Sequence, residues 1–139
     1  MFLSEYEHTI DDKGRLTIPA KYRPYLAAGM VITRGLDRNL MAFSLEGFEE
    51  LAARVNGLPW GDSRAREFRR RIFSGAVDLI PDRQGRVLLP PYLRKFAGIQ
   101  ADVVIVGLHD HLEIWSSDAW APVREAAEGD GQHWEELGI

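Results

Sequence analysis

The sequence predicts an α+β fold, mainly β, built from two copies of one small unit with flanking helices. Three observations support this fold class: an internal repeat with an offset of 71 positions, short extended segments beside glycine-containing turns, and serine-led amphipathic segments after the strands. A chain of 139 residues with 45% hydrophobic content can bury an ordinary core, but each half alone would bury only a limited fraction of its surface. The two halves are therefore expected to pack on each other.

The internal repeat aligns residues 9–23 with residues 80–94. The matching pairs are Asp11 with Asp82, Gly14 with Gly85, Arg15 with Arg86, Pro19 with Pro90 and Arg23 with Arg94. Two copies are too few for a solenoid, so we interpret the chain as a doubled module whose halves form an internal pseudo-dimer. Its expected parts are a first repeat at 1–57, a linker with a basic helix at 58–71, a second repeat at 72–128 and a tail at 129–139.

Each copy is expected to contain two hairpins. The glycine that closes the first turn, Gly14 or Gly85, supplies the positive φ that a hairpin loop requires. A second turn in each copy separates two further extended runs. The predicted strand segments are 7–10, 15–18, 30–34 and 40–43 in the first copy and 77–80, 86–89, 103–106 and 112–115 in the second.

Helical segments flank these strands. Ser44 and Ser116 each precede apolar residues at helical spacing, so each is predicted to cap an amphipathic helix. A short helical turn is expected directly after each repeated proline. In the linker, Ser63 is predicted to cap a helix over 64–72 that carries five arginines.

Charge is unevenly placed along the chain. The formal net charge is −4, yet residues 1–100 hold 16 Lys or Arg against 12 Asp or Glu, whereas residues 101–139 hold one Arg against nine acidic residues. A nucleic-acid surface on the first part fits this distribution, and so does an ordinary mixed surface. The arginine-rich linker helix at 64–71 leaves two interpretations open in the same way, a DNA contact or a solvated face.

Composition indicates a cytoplasmic protein. The chain has no cysteine, which removes disulfides, thiolate catalysis and zinc–thiolate sites. Residues 1–8 lack the basic and apolar regions of a signal peptide, and no apolar run approaches the roughly 20 residues that a spanning helix requires. We therefore expect a soluble protein with no membrane partner, no metal or other cofactor and no small-molecule substrate.

The candidate functional site is the doubled Asp-x-x-Gly-Arg turn. The aspartate, Asp11 or Asp82, can accept hydrogen bonds from backbone amides and fix the loop. The arginine, Arg15 or Arg86, then starts a strand whose rigid backbone presents the guanidinium group. This fork of donors suits phosphate oxygens and the guanine O6 and N7 acceptors in the major groove. One copy alone would favour an ordinary ion-paired arginine, but the duplication indicates that the turn itself is used.

Several motifs resemble the MraZ family. They are the opening Met1-Phe2, the runs 11–19, 73–76 and 82–90, and the late Glu113-Ile114-Trp115. The resemblance covers nearly the whole chain to about Trp120. One departure is Ser4, where the family usually has glycine; Gly75 keeps the glycine in the second repeat.

This resemblance implies two tandem SpoVT-AbrB domains whose swapped hairpins form a pseudo-dimeric β-barrel within the chain. It also implies ring-like homo-oligomers, cytoplasmic and associated with the nucleoid, that bind double-stranded DNA with repeated promoter elements. Their role would be transcriptional control at the promoter of the division and cell wall gene cluster, including the protein's own gene. The expected DNA-binding residues are Lys13, Arg15, Arg83 and Arg86, with Asp11, Gly14, Asp82 and Gly85 as turn-forming support.

Two other function classes stay open. His109 and His111 would point to one face of an extended segment, a spacing that can bind a metal, although no third ligand is evident. No phosphate loop, nucleophile elbow or His-Glu-x-x-His motif indicates an enzyme. The alternative is an assembly scaffold or antitoxin-like interaction module with incidental DNA affinity. Antitoxins of this fold usually carry one such unit, so the doubled copy argues against that alternative by analogy.

Overall fold

The computed structural model describes residues 1–131 and 133–139. The first half contains strands β1 (Glu5–Thr9), β2 (Arg15–Thr17), β3 (Met30–Arg34) and β4 (Leu40–Ser44), with helices α1 (Arg23–Leu26) and α2 (Leu45–Asn56). After helix α3 (Ser63–Gly75), the second half contains β5 (Val77–Leu79), β6 (Arg86–Leu88), β7 (Asp102–Gly107) and β8 (Leu112–Ser116), with α4 (Pro91–Ala97) and α5 (Ser117–Glu128). Short 3-10 turns lie at Ala20–Tyr22 and Trp134–Leu137.

Strands are exchanged between the two repeats. The main sheet is antiparallel, with the order β1-β7-β8-β4-β3-β5, so β1 pairs with β7 of the second repeat and β5 pairs with β3 of the first. The remaining strands, β2 and β6, pair with each other in a separate two-stranded ribbon. Neither repeat completes a sheet by itself, which agrees with the α+β, tandem, swapped-hairpin expectation. Closure into a barrel stays a prediction.

The turn segments do not form the local hairpins that their sequences predict. A single bridge joins Ile10 to Leu16, and no ladder connects β1 with β2 in the described part of the chain. Leu16 instead lies opposite Val87 across the ribbon, and both side chains are buried. Strands of three residues are only marginally stable as an isolated hairpin. Pairing β2 with β6 of the other repeat instead lets each strand bury its apolar residue in a shared core. The second hairpins, β3 with β4 and β7 with β8, form as predicted.

Helix starts confirm two of the three predicted caps. Ser44 and Ser116 each accept a hydrogen bond from the backbone amide three residues later, at 3.0 and 3.1 Å. At α3 the predicted cap, Ser63, is already helical, and Asp62 accepts from the Arg64 amide at 2.9 Å instead. A carboxylate caps at least as well as a hydroxyl and adds a favourable interaction with the helix dipole. Among the residues that the structure describes, none of the helices combines the length and the apolar character needed to span a bilayer.

The main core lies between the six-stranded sheet and the ribbon. Its fully buried members include Leu16, Ile18, Tyr22, Leu26, Met30, Ile32, Leu40, Leu89, Leu93, Ile105 and Leu112. The other face of the sheet is covered by α2 and α3 around Phe43 and Ile72, and by α5 around Val104 and Trp115. Because both repeats contribute to the main core, hydrophobic burial stabilises the two halves jointly.

Ser4 adopts a left-handed backbone conformation just before β1, with φ of 73°. This is the position at which the family resemblance led us to expect glycine, the residue that occupies this region without a steric cost. The conformation is held by strand pairing, because the Ser4 carbonyl accepts a hydrogen bond from the Gly107 amide at 2.8 Å. Ser4 therefore carries backbone strain that the fold maintains.

Replacing Ser4 by glycine is expected to raise the free energy of unfolding by about 0.5–1 kcal/mol. Relief of left-handed strain, about 1–2 kcal/mol, exceeds the entropy that glycine adds to the unfolded chain, about 0.4–1 kcal/mol. Denaturant titration of the wild type and Ser4→Gly measures the difference. The control Ser117→Gly, at the first residue of α5, should lower stability; a loss at Ser4→Gly as well would show that the left-handed backbone costs little.

Candidate nucleic-acid interface

Asp11 organises the first turn. Its Oδ1 accepts hydrogen bonds from the backbone amides of Lys13 at 3.0 Å and Arg15 at 2.9 Å, and its carbonyl accepts from the Gly14 amide at 3.0 Å. Nε of Arg15 donates to Oδ2 of the same carboxylate at 2.6 Å. The backbone hydrogen bond from Arg15, followed by the one from its side chain, holds the pKa of the Asp11 carboxyl below its ordinary value. The acceptor is therefore ionised at neutral pH.

The second turn repeats every one of these contacts 71 residues later. Oδ1 of Asp82 accepts from the amides of Gln84 and Arg86, both at 2.9 Å, and its carbonyl accepts from the Gly85 amide at 2.9 Å. Nε of Arg86 donates to Oδ2 of Asp82 at 2.9 Å. The pKa of the Asp82 carboxyl is lowered for the same reason, foremost by the backbone hydrogen bond from Arg86. Both turns thus tie a guanidinium group to the carboxylate that shapes the loop.

The ribbon holds the two turns in a pseudo-twofold relationship. The amide of Ile18 donates to the carbonyl of Gly85 at 2.7 Å, and the amide of Leu89 donates to the carbonyl of Gly14 at 2.9 Å. Each turn is therefore bonded to the end of the strand that comes from the other repeat. Movement of one turn relative to the other would break these exchanged hydrogen bonds, so the spacing between the two arginines is set by the ribbon.

Two further arginines reach the turns from the opposite repeat. Arg94 lies over Gly14, where a Cβ would stand 3.1 Å from Nη2, and Arg23 lies over Gly85, where a Cβ would overlap with Nε. Nε of each arginine donates to a backbone carbonyl of its own repeat, at 3.0 Å for Arg23 and 3.1 Å for Arg94. The glycines thus combine positive φ, +83° and +76°, with the close approach of a guanidinium group. In the sequence, Arg23 and Arg94 stand out only as matching positions of the repeat, and that recurrence was the available signal.

Cations outnumber carboxylates at both turns. The first turn brings together Lys13, Arg15 and Arg94 with Asp11 and Asp12, and the second brings together Arg83, Arg86 and Arg23 with Asp82. Lys13 and Arg83 are exposed, and the described residues provide no ion-pair partner for either. The side chains of Arg15 and Arg86 are 33% and 30% exposed, each with Nε paired to its aspartate. The arrangement can donate hydrogen bonds to an anion while the loops stay fixed.

The arginines of α3 are largely used within the protein. Arg64 forms an ion pair with Asp62 at 2.8 Å, and Nη1 of Arg66 donates to the Trp60 carbonyl at 2.9 Å. Nε of Arg71 donates to a backbone carbonyl of the β3–β4 loop at 2.8 Å. The first two contacts lie within the linker, and the Arg71 contact connects it to the first repeat. A DNA contact by this helix stays an open interpretation.

The two histidines of the metal hypothesis do not lie on an extended segment. His109 has φ of 72°, which is left-handed backbone. His111 stacks on Phe43 with 5.1 Å between ring centroids, and its Nδ1 lies 2.6 Å from Oδ1 of Asp110. In residues 1–131 and 133–139, no group of three His, Cys, Asp or Glu side chains is placed to hold a metal ion.

Protonation of Asp11 is expected to loosen the first turn only at unusually low pH. Because the pKa is lower in the folded chain than in the unfolded one, the stabilisation is present above the ordinary value of 3.8 and is lost as pH falls through the folded value. An NMR titration should show the backbone amides of Lys13 and Arg15 shifting together with a midpoint below 3.8. In Asp11→Asn, which keeps an oxygen acceptor but cannot ionise, this transition should disappear. A midpoint at or above the ordinary value would mean that these hydrogen bonds do not favour the carboxylate.

Comparison with known proteins assigns both halves to one family. The family model described as "MraZ protein, putative antitoxin-like" matches residues 1–71 and again residues 72–133. Three relatives carry the name "Transcriptional regulator MraZ". The protein of Roseiflexus castenholzii is 53% identical over 94% of this chain and 91% of its own length. The protein of Herpetosiphon aurantiacus is 51% identical over 91% and 88%, and that of Thermomicrobium roseum is 47% identical over 93% and 92%. Because these matches include both repeats and nearly the full length of each relative, the chain belongs to the MraZ family.

Proposed function

We propose that this protein is a sequence-specific DNA-binding transcriptional regulator and not an enzyme. The observation that carries the proposal is the pair of arginine turns with the same hydrogen bonds, joined by one ribbon, with an excess of positive charge at both. Relatives that align with nearly the whole chain are named as transcriptional regulators.

In this proposal the ribbon and its two turns approach the duplex together. A two-stranded ribbon fits the major groove, where Arg15 and Arg86 would donate to guanine O6 and N7 or to phosphate oxygens. Lys13 and Arg83 are exposed beside them and would contact the phosphate backbone. The pseudo-twofold arrangement of the turns suits an operator element with its own pseudo-twofold symmetry.

The proposed target is the promoter of the division and cell wall gene cluster, which would include the protein's own gene. Each turn supplies a modest energy, so several chains in a ring-like homo-oligomer would bind repeated promoter elements together and gain affinity through avidity. The spacing of the DNA repeats then becomes part of the recognised signal. Such a regulator would work in the cytoplasm, on the nucleoid.

The test is the affinity of the wild-type protein for the duplex upstream of its own gene, compared with a scrambled duplex, across a salt series. We expect tight binding to the upstream duplex alone. The logarithm of the binding constant should fall by about 0.9 per log unit of salt for each phosphate neutralised. Equal and weak binding to both duplexes would reject the proposal.

A second candidate function is an assembly or antitoxin-like module, which the description of the family model favours. In that case the ribbon would hold a protein partner and affinity for DNA would be incidental. Sedimentation of the protein with and without the upstream duplex separates the two functions. A scaffold would form assemblies that sediment without the duplex, whereas a regulator would sediment together with the duplex.

A further inference from the structure

A second group of cations surrounds the ring of Phe96 on α4. The guanidinium carbons of Arg34, Arg38 and Arg71 lie 5.9, 4.8 and 5.0 Å from the ring centroid. An open hollow of about 540 Å³ adjoins the ring. We define the Phe96 cluster as Phe96 with the four cations Arg34, Arg38, Arg71 and Lys95.

Two of these arginines are fixed by the backbone around them. Nη1 of Arg34 donates to the Arg71 carbonyl at 3.2 Å and to Oγ of Ser74 at 3.1 Å. Nε of Arg71 donates to the Gly35 carbonyl at 2.8 Å. A Cβ on Gly75 would stand 3.0 Å from the Arg34 side chain, so the glycine allows the guanidinium group to come this close. Arg34 and Arg71 are therefore held beside each other by the fold and do not meet by chance on a mobile surface.

The Phe96 cluster has no internal counter-charge. In the part of the chain that the structure describes, none of its four cations has a carboxylate within ion-pair distance. Asp37 contributes its backbone carbonyl, and not its carboxylate, to Arg71 at 3.4 Å. Attraction of each guanidinium to the aromatic face is small at partly exposed sites and does not remove the mutual repulsion of the cations. A bound external anion would offset this repulsion between the cations.

The cluster is also specific to one half of the molecule. At the equivalent positions, the first repeat has Pro24 and Tyr25 where the second has Lys95 and Phe96. The cluster is therefore not a consequence of the duplicated fold and differs from the arginine turns, which occur twice.

We propose that the Phe96 cluster is a binding site for a phosphate group, separate from the two arginine turns. Guanidinium groups pair with phosphate oxygens through parallel N–H donors, and the lysine adds a point charge at the rim. The phosphate can come from the backbone of a duplex held by the turns or from a free phosphorylated small molecule. The first source depends on the proposed DNA-binding function, and the second does not.

The test uses the full-length protein and the double variant Arg38→Gln with Lys95→Gln. Both residues are exposed, and among the described residues neither side chain forms a hydrogen bond or an ion pair, so the fold should persist. The matched control is Arg54→Gln with Arg124→Gln, which changes the net charge equally at exposed positions outside the cluster, the arginine turns and α3. Calorimetry with inorganic tripolyphosphate forms one arm, and the salt dependence of binding to the upstream duplex forms the other.

We expect the cluster variant to lose affinity for tripolyphosphate on the order of tenfold while the control keeps it. If the source is DNA, the variant should also lower the salt slope by about 0.9 for each phosphate contact removed. A lower slope without tripolyphosphate binding assigns the site to DNA, and tripolyphosphate binding with an unchanged slope assigns it to a free ligand. No difference between the variant and the wild type in either arm, or an equal loss in the control, overturns the proposal. The tripolyphosphate measurement tests the site even if the protein does not bind DNA.

Discussion

Replacing Arg15 and Arg86 together by alanine is expected to abolish sequence-specific duplex binding while the chain stays folded. A guanidinium group that pairs with one guanine contributes about 1–3 kcal/mol of discrimination, and in the proposed oligomer this loss would recur at each chain. The two side chains are only 33% and 30% exposed, but their contacts are within their own turns and not in the main core. The expected effect is therefore on binding and much less on stability.

Fluorescence anisotropy with the upstream and scrambled duplexes measures this loss. Arg15→Lys with Arg86→Lys keeps the charge but removes the planar fork, so it should retain weak binding to both duplexes and lose the preference for one. The exposed pair Arg54→Ala with Arg124→Ala, outside the turns and α3, serves as the charge-matched control. If the alanine variant unfolds, or if it still prefers the upstream duplex, the arginines of the turns serve the structure and not recognition.

Replacing Leu16 by alanine is expected to lower the free energy of unfolding by about 2–5 kcal/mol. Leu16 is fully buried in β2 and lies opposite Val87 of the other repeat, so the cavity would open where the two halves meet. A loss of this size is a large part of the stability of a typical domain. We also expect both halves to lose stability together, since the main core is shared.

The matched control is Leu88→Ala, in the same ribbon but with a side chain that is 55% exposed. It should change stability by less than about 0.5 kcal/mol. Chemical denaturation followed by circular dichroism compares the two variants with the wild type. Similar effects from both substitutions, or a Leu16→Ala transition in which one repeat unfolds alone, would show that the ribbon does not join the cores of the two repeats.

Features that depend on neighbouring residues could be predicted from the sequence. Serine before an apolar helical pattern predicted the caps at Ser44 and Ser116, because the hydroxyl meets an amide only three residues away. Gly14 and Gly85 predicted the positive φ of the turns, because other residues pay a steric cost there. At α3 two neighbouring residues could cap the helix, and the cap is Asp62 where Ser63 was predicted.

The candidate site could be predicted in part for the same reason. Asp11 and Arg15 lie four residues apart, so their contact is local, and the repeat marks it a second time at Asp82 and Arg86. The approach of Arg94 to Gly14 joins residues that are 80 positions apart. No local rule connects such residues, so the sequence showed only that this arginine recurs.

The sequence by itself determined that the chain is a doubled α+β module with an arginine turn in each copy, because repeat identity and turn chemistry are written in adjacent residues. Only the tertiary structure decided which strands meet: β2 with β6, β1 with β7 and β5 with β3. A strand pattern states which face is apolar but not which partner covers it. That choice depends on the burial that the whole chain achieves, and exchange between the repeats gives both turns one common ribbon.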